Sequence, residues 1–278
     1  MINKKRFNEN DTMWPWISLW LKIKKILYKE KTKYQDLLVF ESESFWNVLV
    51  LDWVIQLTDR DEANYQEMLA HIPLFIHKLP KRVLIIWGWD WGVLREVLKH
   101  NSVEDIILCE IDKKVIEVSK TFFPDISSWF NNNKAKIIIQ DWKSYLLNNK
   151  EKFDVIIVDS SDPVWPANTL FTEQFYKYIK DNLYNGWVIV IQWESLFLHK
   201  DLAVRLKKYM KSLFKYTNYS QVHVPTYPWW NIWLLACSNS NKVTSPSRKI
   251  PKDIEDWFKY YSKEVHESSF ILPPSYKI

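Results

Sequence analysis

The stretch RVLIIWGWDWGVLREVLKH, residues 82–100, decides the fold. A short run rich in valine, leucine and isoleucine precedes a loop at 87–92, and the segment after the loop carries apolar residues at helical spacing. This order predicts a buried strand that turns sharply into a helix. Such a unit is typical of the start of a parallel sheet with helices packed on it.

The same alternation continues along the chain. The segments that follow are DIILCE, KKVIEVSKTF, AKIIIQ, DVIIVD, EQFYKYIKDNL, WVIVIQ and LAVRLKKYMKSLF. Short apolar strands that alternate with amphipathic helices predict a doubly wound α/β sheet. We expect residues 216–224 and 232–238 to add an antiparallel edge, residues 238–247 to form a loop, and a last helix to lie near 252–262.

The chain before residue 82 has a different pattern. Residues 34–41, 47–51 and 54–58 are rich in valine, leucine, isoleucine and phenylalanine, and turn-like breaks separate them. They predict a small antiparallel β domain. A short helix is expected over 65–71, after which Pro73 and Pro80 bracket the crossing to the next pattern. We therefore divide the chain into an N-terminal β domain, residues 1–62, and a Rossmann-like domain, residues 63–278.

Composition excludes several protein classes. Of the 278 residues, 47% are hydrophobic and 26% are charged, as in globular proteins and unlike disordered or fibrous ones. The first residues contain no apolar signal region and no apolar run is long enough to span a bilayer, so we expect a cytoplasmic protein with no membrane partner. Cys109 and Cys237 have no second cysteine or histidine at metal-ligand spacing, which disfavours a disulfide framework or a zinc site.

The formal charge of +5 does not indicate a nucleic-acid partner, because the basic residues are scattered along the chain. They fall where we expect solvated helix faces, at Lys22, Lys24, Lys25, Lys31, Lys33, Arg205, Lys207 and Lys208.

Acidic and hydroxyl residues follow the ends of the predicted strands. Ligands of open α/β sheets lie beyond the carboxyl ends of the strands, so these positions are candidates for a site. They are Asp90, Glu110, Asp112, Asp141, Asp159, Ser160, Ser161 and Asp162. Clustered carboxylates raise one another's pKa and need a cation beside them. No histidine cluster accompanies them, so a divalent metal is the less favoured partner and an organic polycation is the better match.

Three residues indicate the kind of ligand. Glu110 lies about twenty residues beyond the first loop, where an acid on the second strand of such a sheet accepts hydrogen bonds from a ribose diol. Tyr65 and Tyr227 are suited to line the methylene stem of a diamine, with cation–π contacts at its ends. Packing in the core explains each tyrosine equally well when it is taken alone.

These residues lie in segments that resemble the spermidine synthase family of aminopropyltransferases over nearly the whole chain. The matching segments are WPWISLWLKIKKILYKEKTKYQDLLVFES, WNVLVLDWVIQLTDRDEANYQEM, PKRVLIIWGWDWGVLREVLKH, CEIDKKVIEVSK, VDSSDPVWPANTLF, PTYPWWNIWLLACS and FKYYSKEVHESSFILP. The combination of YQEM, DSSDP and PTYP is more selective than a lone glycine-rich loop. The resemblance implies an N-terminal β domain, a seven-stranded methyltransferase-like sheet and assembly as a homodimer or homotetramer.

The resemblance also implies a reaction in polyamine biosynthesis. The aminopropyl group of decarboxylated S-adenosylmethionine, a co-substrate, passes to putrescine and gives spermidine and methylthioadenosine, with no cofactor. On the core sheet alone, an S-adenosylmethionine-dependent methyltransferase is the alternative, and the DSSDP acids with the N-terminal domain favour aminopropyl transfer. Cadaverine, agmatine or spermidine stays open as the acceptor.

Carried over position by position, the resemblance assigns the site residues. The nucleoside-binding positions are Gln35, Glu110, Asp141, Trp142 and Pro166, with Asp90 on the aminopropyl ammonium. The polyamine-binding positions are Tyr65, Gln66, Asp90, Asp159, Ser160, Ser161, Asp162 and Tyr227, with Trp14 nearby. Asp159 is the implied general base. Asp90 also repels a substrate that keeps its carboxylate, which favours the decarboxylated nucleotide.

Tryptophan stands at many positions where this family has glycine. The chain has 3 glycines and 17 tryptophans, and the family's GGGDGG loop reads WGWDWG here. Trp14 matches a tryptophan of the family, and Trp20 and Trp257 fit either residue. Glycine in the first loop permits a tight turn and a close approach of backbone to ligand, which an indole obstructs. The disputed positions are Trp16, Trp46, Trp53, Trp87, Trp89, Trp91, Trp129, Trp142, Trp165, Trp187, Trp193, Trp229, Trp230 and Trp233.

We hypothesise that the gene uses UGA as a glycine codon, as some bacterial lineages do, and that a translation table reading UGA as tryptophan produced these residues. A deliberately altered chain and a degenerate, inactive relative are the alternatives. Degeneration is disfavoured because the strand-end carboxylates have all stayed in place. If the tryptophans are real, we expect Trp87, Trp89 and Trp91 to fill the nucleoside pocket, and we predict poor folding and no nucleoside binding.

Overall fold

Two β-sheets, one antiparallel and one mainly parallel, organise the chain. The structure is a computed structural model that describes residues 2–3, 5–9, 18–88, 91–127, 132–160, 172–193, 195–197, 199–227 and 230–276. The two sheets correspond to the two patterns on either side of residue 82.

The N-terminal sheet is an antiparallel meander in which neighbouring strands follow one another in sequence. Its strands are β1 (Ile2–Asn3), β2 (Arg6–Asn8), β3 (Trp20–Lys31), β4 (Asp36–Ser42), β5 (Trp46–Leu51) and β6 (Val54–Thr58). The small antiparallel β domain is confirmed, but it has six described strands where three were expected.

The long strand β3 is one of the three strands that were not expected. Leu21 is its one fully buried residue, so β3 lacks the alternation of apolar and polar residues that predicts a strand. The prediction that the lysines between 22 and 31 lie on helix faces was wrong, because they lie on this strand.

The second sheet has the order β12-β13-β11-β10-β7-β8-β9. Its strands are β7 (Arg82–Ile86), β8 (Asp105–Glu110), β9 (Ala135–Ile139), β10 (Phe153–Val158), β11 (Leu183–Trp193), β12 (Tyr216–His223) and β13 (Asn231–Ser238). Strands β7 to β11 run parallel, and β13 pairs antiparallel with both β11 and β12. The predicted doubly wound α/β sheet and its antiparallel edge are both confirmed.

Helices cover both faces of this sheet. They are α1 (Glu62–Ile76), α2 (Gly92–Leu98), α3 (Lys113–Phe122), α4 (Pro124–Ser127), α5 (Trp142–Asn148), α6 (Glu173–Asp181), α7 (Lys200–Leu213), α8 (Lys252–Glu255) and α9 (Lys263–Ser269). Residues of α1, α2 and α3 share one buried cluster, and residues of α5, α6 and α7 share the other. Helix α5 was not predicted. Within the described ranges, none of these helices is long and apolar enough to cross a membrane.

Helix α1 is longer than the 65–71 segment expected for it, and it runs through Pro73. A proline inside a helix removes one hydrogen bond and costs about 3 kcal/mol. Every residue of α1 except Asn64 is buried, and burying one large aliphatic side chain contributes roughly 1.5–3 kcal/mol. Packing along the whole helix therefore outweighs the local cost, and Pro73 does not end it.

The prediction of one helix near 252–262 was wrong, since α8 ends at Glu255 and α9 begins at Lys263. The carboxylate of Glu67 accepts hydrogen bonds from the backbone N–H groups of Lys259, Tyr260 and Tyr261, at 2.7 to 2.8 Å. A continuous helix would need those N–H groups for its own carbonyls. A buried carboxylate on α1 thus fixes this segment in a non-helical form.

Candidate active site

The candidate site lies where the strand order of the parallel sheet reverses. The chain moves from β7 to β8 on one side, while β10 lies on the other side of β7. The two strand ends are joined directly, because Asp159 N donates to Ile86 O at 3.0 Å. A crevice opens at such a switch point, beyond the carboxyl ends of the strands.

Asp159 and Tyr65 meet at this switch point. Asp159 follows β10 and is 3% exposed, and the hydroxyl of Tyr65 donates to its Oδ1 at 2.5 Å. The ring of Tyr65 packs edge-on against the ring of Tyr227, with centroids 5.8 Å apart. The hydroxyl of Tyr227 donates to Gln56 O at 2.7 Å. The structure thus brings together three residues that are far apart in sequence.

Gln66 and Ser160 lie beside this group. Gln66 is 1% exposed and packs on Gly92, where a Cβ atom would come within 2.6 Å of the Gln66 side chain. A larger residue at the start of α2 would therefore have to displace the side chain of Gln66. The hydroxyl of Ser160 is directed to the end of β11, where it donates to Gln192 O at 3.4 Å.

Glu110 ends the neighbouring strand β8 and is 3% exposed. Its Oε1 accepts hydrogen bonds from the backbone N–H groups of Ile111 and Asp112, each at 2.8 Å. Its Oε2 is buried and has no hydrogen-bond partner within the described part of the chain. Burial raises the pKa of Glu110 to about 8, against the lowering effect of the two N–H groups. A buried oxygen without a partner is destabilising, and a ligand hydroxyl would satisfy it.

Asp112 links the nucleoside-side candidates to the N-terminal domain. Its Oδ2 accepts hydrogen bonds from Thr32 Oγ1 at 2.7 Å and from Gln35 Nε2 at 3.1 Å. Its Oδ1 caps helix α3 by accepting from Lys114 N at 3.0 Å. The side chain of Gln35 is thus held by a residue that lies two positions after Glu110 in the chain. The sequence offered one signal for this link, a second acid two positions after Glu110.

Asp141 and Trp142 begin helix α5. Asp141 is the N-cap residue, and its Oδ2 accepts from Ser144 N at 3.0 Å. The indole of Trp142 is 5% exposed and packs edge-on against Phe175, with centroids 4.7 Å apart. The Trp142 side chain therefore belongs to the core cluster on the α6 side, although the position was assigned to the nucleoside.

Several predicted site residues lie outside the described residues. They are Asp90, Ser161, Asp162 and Pro166, together with Trp14, Trp16, Trp89, Trp129, Trp165 and Trp229.

Tryptophan occupies backbone positions that favour glycine. Six non-glycine residues have positive φ in the described part of the chain, and five are tryptophan. They are Trp46 (φ 58°), Trp53 (φ 68°), Trp87 (φ 68°), Trp91 (φ 71°) and Trp230 (φ 57°), and the sixth is Asp52 (φ 48°). A bulky residue at positive φ is a strained outlier. The bias toward a single residue type supports glycine as the native residue at these five positions.

The turns in which these tryptophans lie show why glycine suits their positions. Asp52 and Trp53 form the two-residue connection between Leu51 and Val54 in the β5–β6 hairpin, with both φ values positive. Asp-Gly is a preferred pair for that type I′ turn. Trp91 is the N-cap of α2 in the left-handed conformation, and Trp87 follows β7.

The indoles of Trp87 and Trp91 were expected to fill the nucleoside pocket. The structure buries both indoles in two core clusters, where Trp91 is 1% exposed and Trp87 is 8% exposed. Trp142, Trp187, Trp193 and Trp233 are also buried, and none of these four has positive φ. Backbone conformation therefore favours glycine at five of the disputed positions and leaves these four undecided.

Comparison with known proteins identifies the family. Residues 7–59 match the model described as spermidine synthase tetramerisation domain, and residues 62–247 match the spermine/spermidine synthase domain. The spermidine synthase of Dictyostelium discoideum is 46% identical, covering 96% of this chain and 94% of that protein. The spermidine synthase of Schizosaccharomyces pombe is 45% identical, covering 96% and 91%.

A solved structure shares the fold. A crystal structure of a spermidine synthase in complex with the transition-state analogue AdoDATO is 34% identical, with a TM-score of 0.88 and coverage of 96% of this chain and 92% of that one. With both domains matched and relatives above 40% identity over nearly their whole length, the chain belongs to the spermidine synthase family.

Proposed function

We propose that this chain is a spermidine synthase, which transfers the aminopropyl group of decarboxylated S-adenosylmethionine to putrescine. The observation that supports this most is the buried carboxylate of Asp159 at the switch point, held by the hydroxyl of Tyr65. It offers a fixed proton acceptor beside two aromatic rings, as the transfer to an amine requires.

For this reaction the protein must supply a base for the amine, and it does not need to activate the sulfonium. The sulfonium of the nucleotide is already activated, so the C–S bond breaks with release of a neutral thioether, while the amine nitrogen forms the new N–C bond. A primary ammonium has no lone pair near neutral pH, since its reference pKa is about 10.4. Asp159 takes that proton and passes it to solvent. The reaction written in this way needs neither a metal ion nor a covalent intermediate.

The nucleoside is proposed to lie across the ends of β7, β8 and β9. Glu110 receives the ribose hydroxyls through Oε2, which has no partner within the described residues. Gln35, held by Asp112, lies on the side of the N-terminal domain. Asp141 and the backbone at the start of α5 complete this side, with Asp90 and Pro166 added from the family resemblance.

The diamine is proposed to lie between Tyr65 and Tyr227, whose rings offer apolar and cation–π contacts to its stem and ends. Gln66 lies beside them, and Ser160, Ser161 and Asp162 belong to the same group through the family resemblance. The working protein is proposed to carry glycine at positions 87 and 91, since a tight loop between β7 and α2 must let the nucleoside approach the backbone.

Assembly and location complete the proposal. We infer a homodimer or homotetramer, supported by the match of residues 7–59 to a tetramerisation domain and by exposed apolar residues on β3, Trp20 and Ile26. A cytoplasmic location is supported by Cys109 and Cys237, which are free, buried thiols.

The test measures products from the purified full-length protein with the native residue at each disputed position. With decarboxylated S-adenosylmethionine and putrescine, we expect spermidine and methylthioadenosine in equal amounts, quantified by chromatography and mass spectrometry. Asp159→Asn lowers kcat at least about 100-fold, the usual size of general-base catalysis.

A matched control lies on the same strand. Asp154 lies at the opposite end of β10 and accepts hydrogen bonds from the backbone N–H groups of Lys81 and Arg82. Asp154→Asn leaves kcat within about twofold, because the amide oxygen still accepts both hydrogen bonds. A folded protein that gives no product, or that instead methylates putrescine with intact S-adenosylmethionine, contradicts the proposal.

A further inference from the structure

The carboxylate of Asp61 is buried where three segments meet. Asp61 is 5% exposed and precedes helix α1. Its Oδ1 accepts from Thr58 Oγ1 at 2.5 Å, at the end of β6. Its Oδ2 accepts from both the backbone N and the Oγ1 of Thr226, at 2.9 and 2.7 Å. Asp61 and Thr226 are 165 positions apart in the chain.

An aspartate at this position normally serves its own helix. N-cap aspartates accept a hydrogen bond from the second or third N–H of the helix, which is worth about 1 kcal/mol. The Asp61 side chain makes no such bond, although it stands at the N-cap of α1. Both of its oxygens accept hydrogen bonds from other segments. The side chain therefore links α1 to Thr226 and does not cap the helix.

The linked segment, residues 223–227, includes Tyr227. Asn64 Nδ2 donates to His223 O at 2.9 Å, and Tyr227 OH donates to Gln56 O at 2.7 Å. Residues 56–64 therefore hold residues 223–227 through three side chains or carbonyls, at Gln56, Asp61 and Asn64. Of these three residues, Asp61 is the acidic one, and its side chain is buried. The next residue after Thr226 is Tyr227, and its ring faces Tyr65 on the first turn of α1.

We infer that Asp61 is a positioning residue for the proposed diamine site, because its carboxylate fixes Tyr227 opposite Tyr65. This inference rests on the assignment of these two tyrosines to the diamine. Without the carboxylate, segment 223–227 loses two hydrogen bonds and the spacing of the two rings is held less firmly, by Gln56 and Asn64 alone. The nucleoside side, formed around Glu110 and Gln35, does not depend on this contact.

The test compares Asp61→Ala with Asp61→Asn in the full-length protein that carries the native residue at each disputed position. Asp61→Ala raises the KM for putrescine about tenfold, the effect expected when roughly one charged hydrogen bond no longer orders the site, and leaves the KM for the nucleotide unchanged. Asp61→Asn keeps an oxygen for Thr226, while Thr58 Oγ1 can accept from the amide, so its KM stays within about twofold of the parent.

A control variant separates positioning from stability. Glu67 is another buried carboxylate on α1, and it holds residues 259–261 and not the tyrosines. Glu67→Gln lowers the melting temperature as Asp61→Ala does, but it leaves the KM for putrescine unchanged. An equal rise in KM in both variants overturns the inference.

Hydrogen exchange provides a readout that does not need activity. The N–H of Thr226 exchanges faster in Asp61→Ala than in the parent, because its acceptor is gone. Faster exchange with an unchanged KM in an active parent overturns the positioning inference. A parent without aminopropyl transfer contradicts the proposed function instead, and putrescine binding by calorimetry then decides the inference: Asp61→Ala must weaken it about tenfold.

Discussion

The hydroxyl of Tyr65 lies 2.5 Å from Oδ1 of Asp159, and both residues are buried. Tyr65 stands on the first turn of α1, and Asp159 directly follows the central strand β10, 94 positions later in the chain. The hydrogen bond fixes the direction of the carboxylate that we propose as the base. It also joins the helix that follows the N-terminal domain to the parallel sheet.

Replacing Tyr65 by phenylalanine should therefore slow the reaction. Tyr65→Phe leaves a buried carboxylate with one donor fewer, so the carboxylate is less well oriented, and we expect kcat to fall about tenfold or more. Steady-state kinetics with both substrates measures the effect. Tyr261→Phe is the matched control, since it removes a buried hydroxyl that contacts His266 and not Asp159. Equal losses in the two variants would show that the Tyr65 hydroxyl has only a structural effect.

The raised pKa of Glu110 gives stability a definite pH dependence. A carboxyl whose pKa is about 8 in the folded chain, against an ordinary value of 4.5, adds stability that is complete below the lower value and is lost as the pH rises through the higher one. Glu110→Gln stays neutral throughout. The free energy of unfolding should fall more steeply for the parent than for this variant from about pH 5 to pH 8.

Denaturant unfolding at a series of pH values measures that difference. Glu117→Gln on the exposed side of α3 serves as a control, because Glu117 lies on the surface and pairs with Lys113 and Lys114. Parallel curves for the parent and Glu110→Gln would mean that Glu110 does not titrate in this range.

Nucleoside binding should depend on pH in the opposite direction. Ribose hydroxyls donate to an ionised carboxylate, so methylthioadenosine binding favours the deprotonated form of Glu110. We expect its affinity to rise about tenfold from pH 6 to pH 8, and Glu110→Gln to bind weakly at every pH, as measured by titration calorimetry. An affinity of the parent that is independent of pH would remove Glu110 from the nucleoside site.

Glycine at a single positive-φ tryptophan should stabilise the printed chain. Trp46 has φ 58° and is 59% exposed, so Trp46→Gly relieves strain at a small loss of packing. We expect the free energy of unfolding to rise by about 1 kcal/mol, whereas Trp46→Ala keeps a Cβ at positive φ and gives no comparable gain. Trp20→Gly in strand β3 is the control and should be destabilising by roughly 0.5–1 kcal/mol.

The intact mass of the protein from its native host tests all disputed positions together. Under the codon hypothesis, the mass is lower than that of the printed chain by one tryptophan-to-glycine exchange for each UGA codon, about fourteen in all on the family pattern. Peptide sequencing then assigns each position. A mass equal to that of the printed sequence, or UGG codons at 87, 89 and 91, ends the hypothesis.

The pattern of apolar residues predicted most of the parallel sheet and the acids at its strand ends. It did not predict β3, because a largely exposed strand has no alternation to recognise. It also ended the predicted helix at residue 71, before Pro73, whereas burial of almost the whole of α1 outweighs the cost of the proline. It gave no indication that the rings of Trp87 and Trp91 would join the two core clusters.

The sequence by itself determined the family, the seven strands of the second sheet and the identity of the strand-end carboxylates, because periodicity and motifs are local properties. Only the tertiary structure decided that Tyr65 bonds to Asp159, that Asp61 reaches Thr226 and that five tryptophans occupy positive φ. These contacts join residues up to 165 positions apart, and the φ angles follow from how the surrounding strands and helices pack. Neither can be derived from a local pattern, since both depend on which distant segments the buried core brings together.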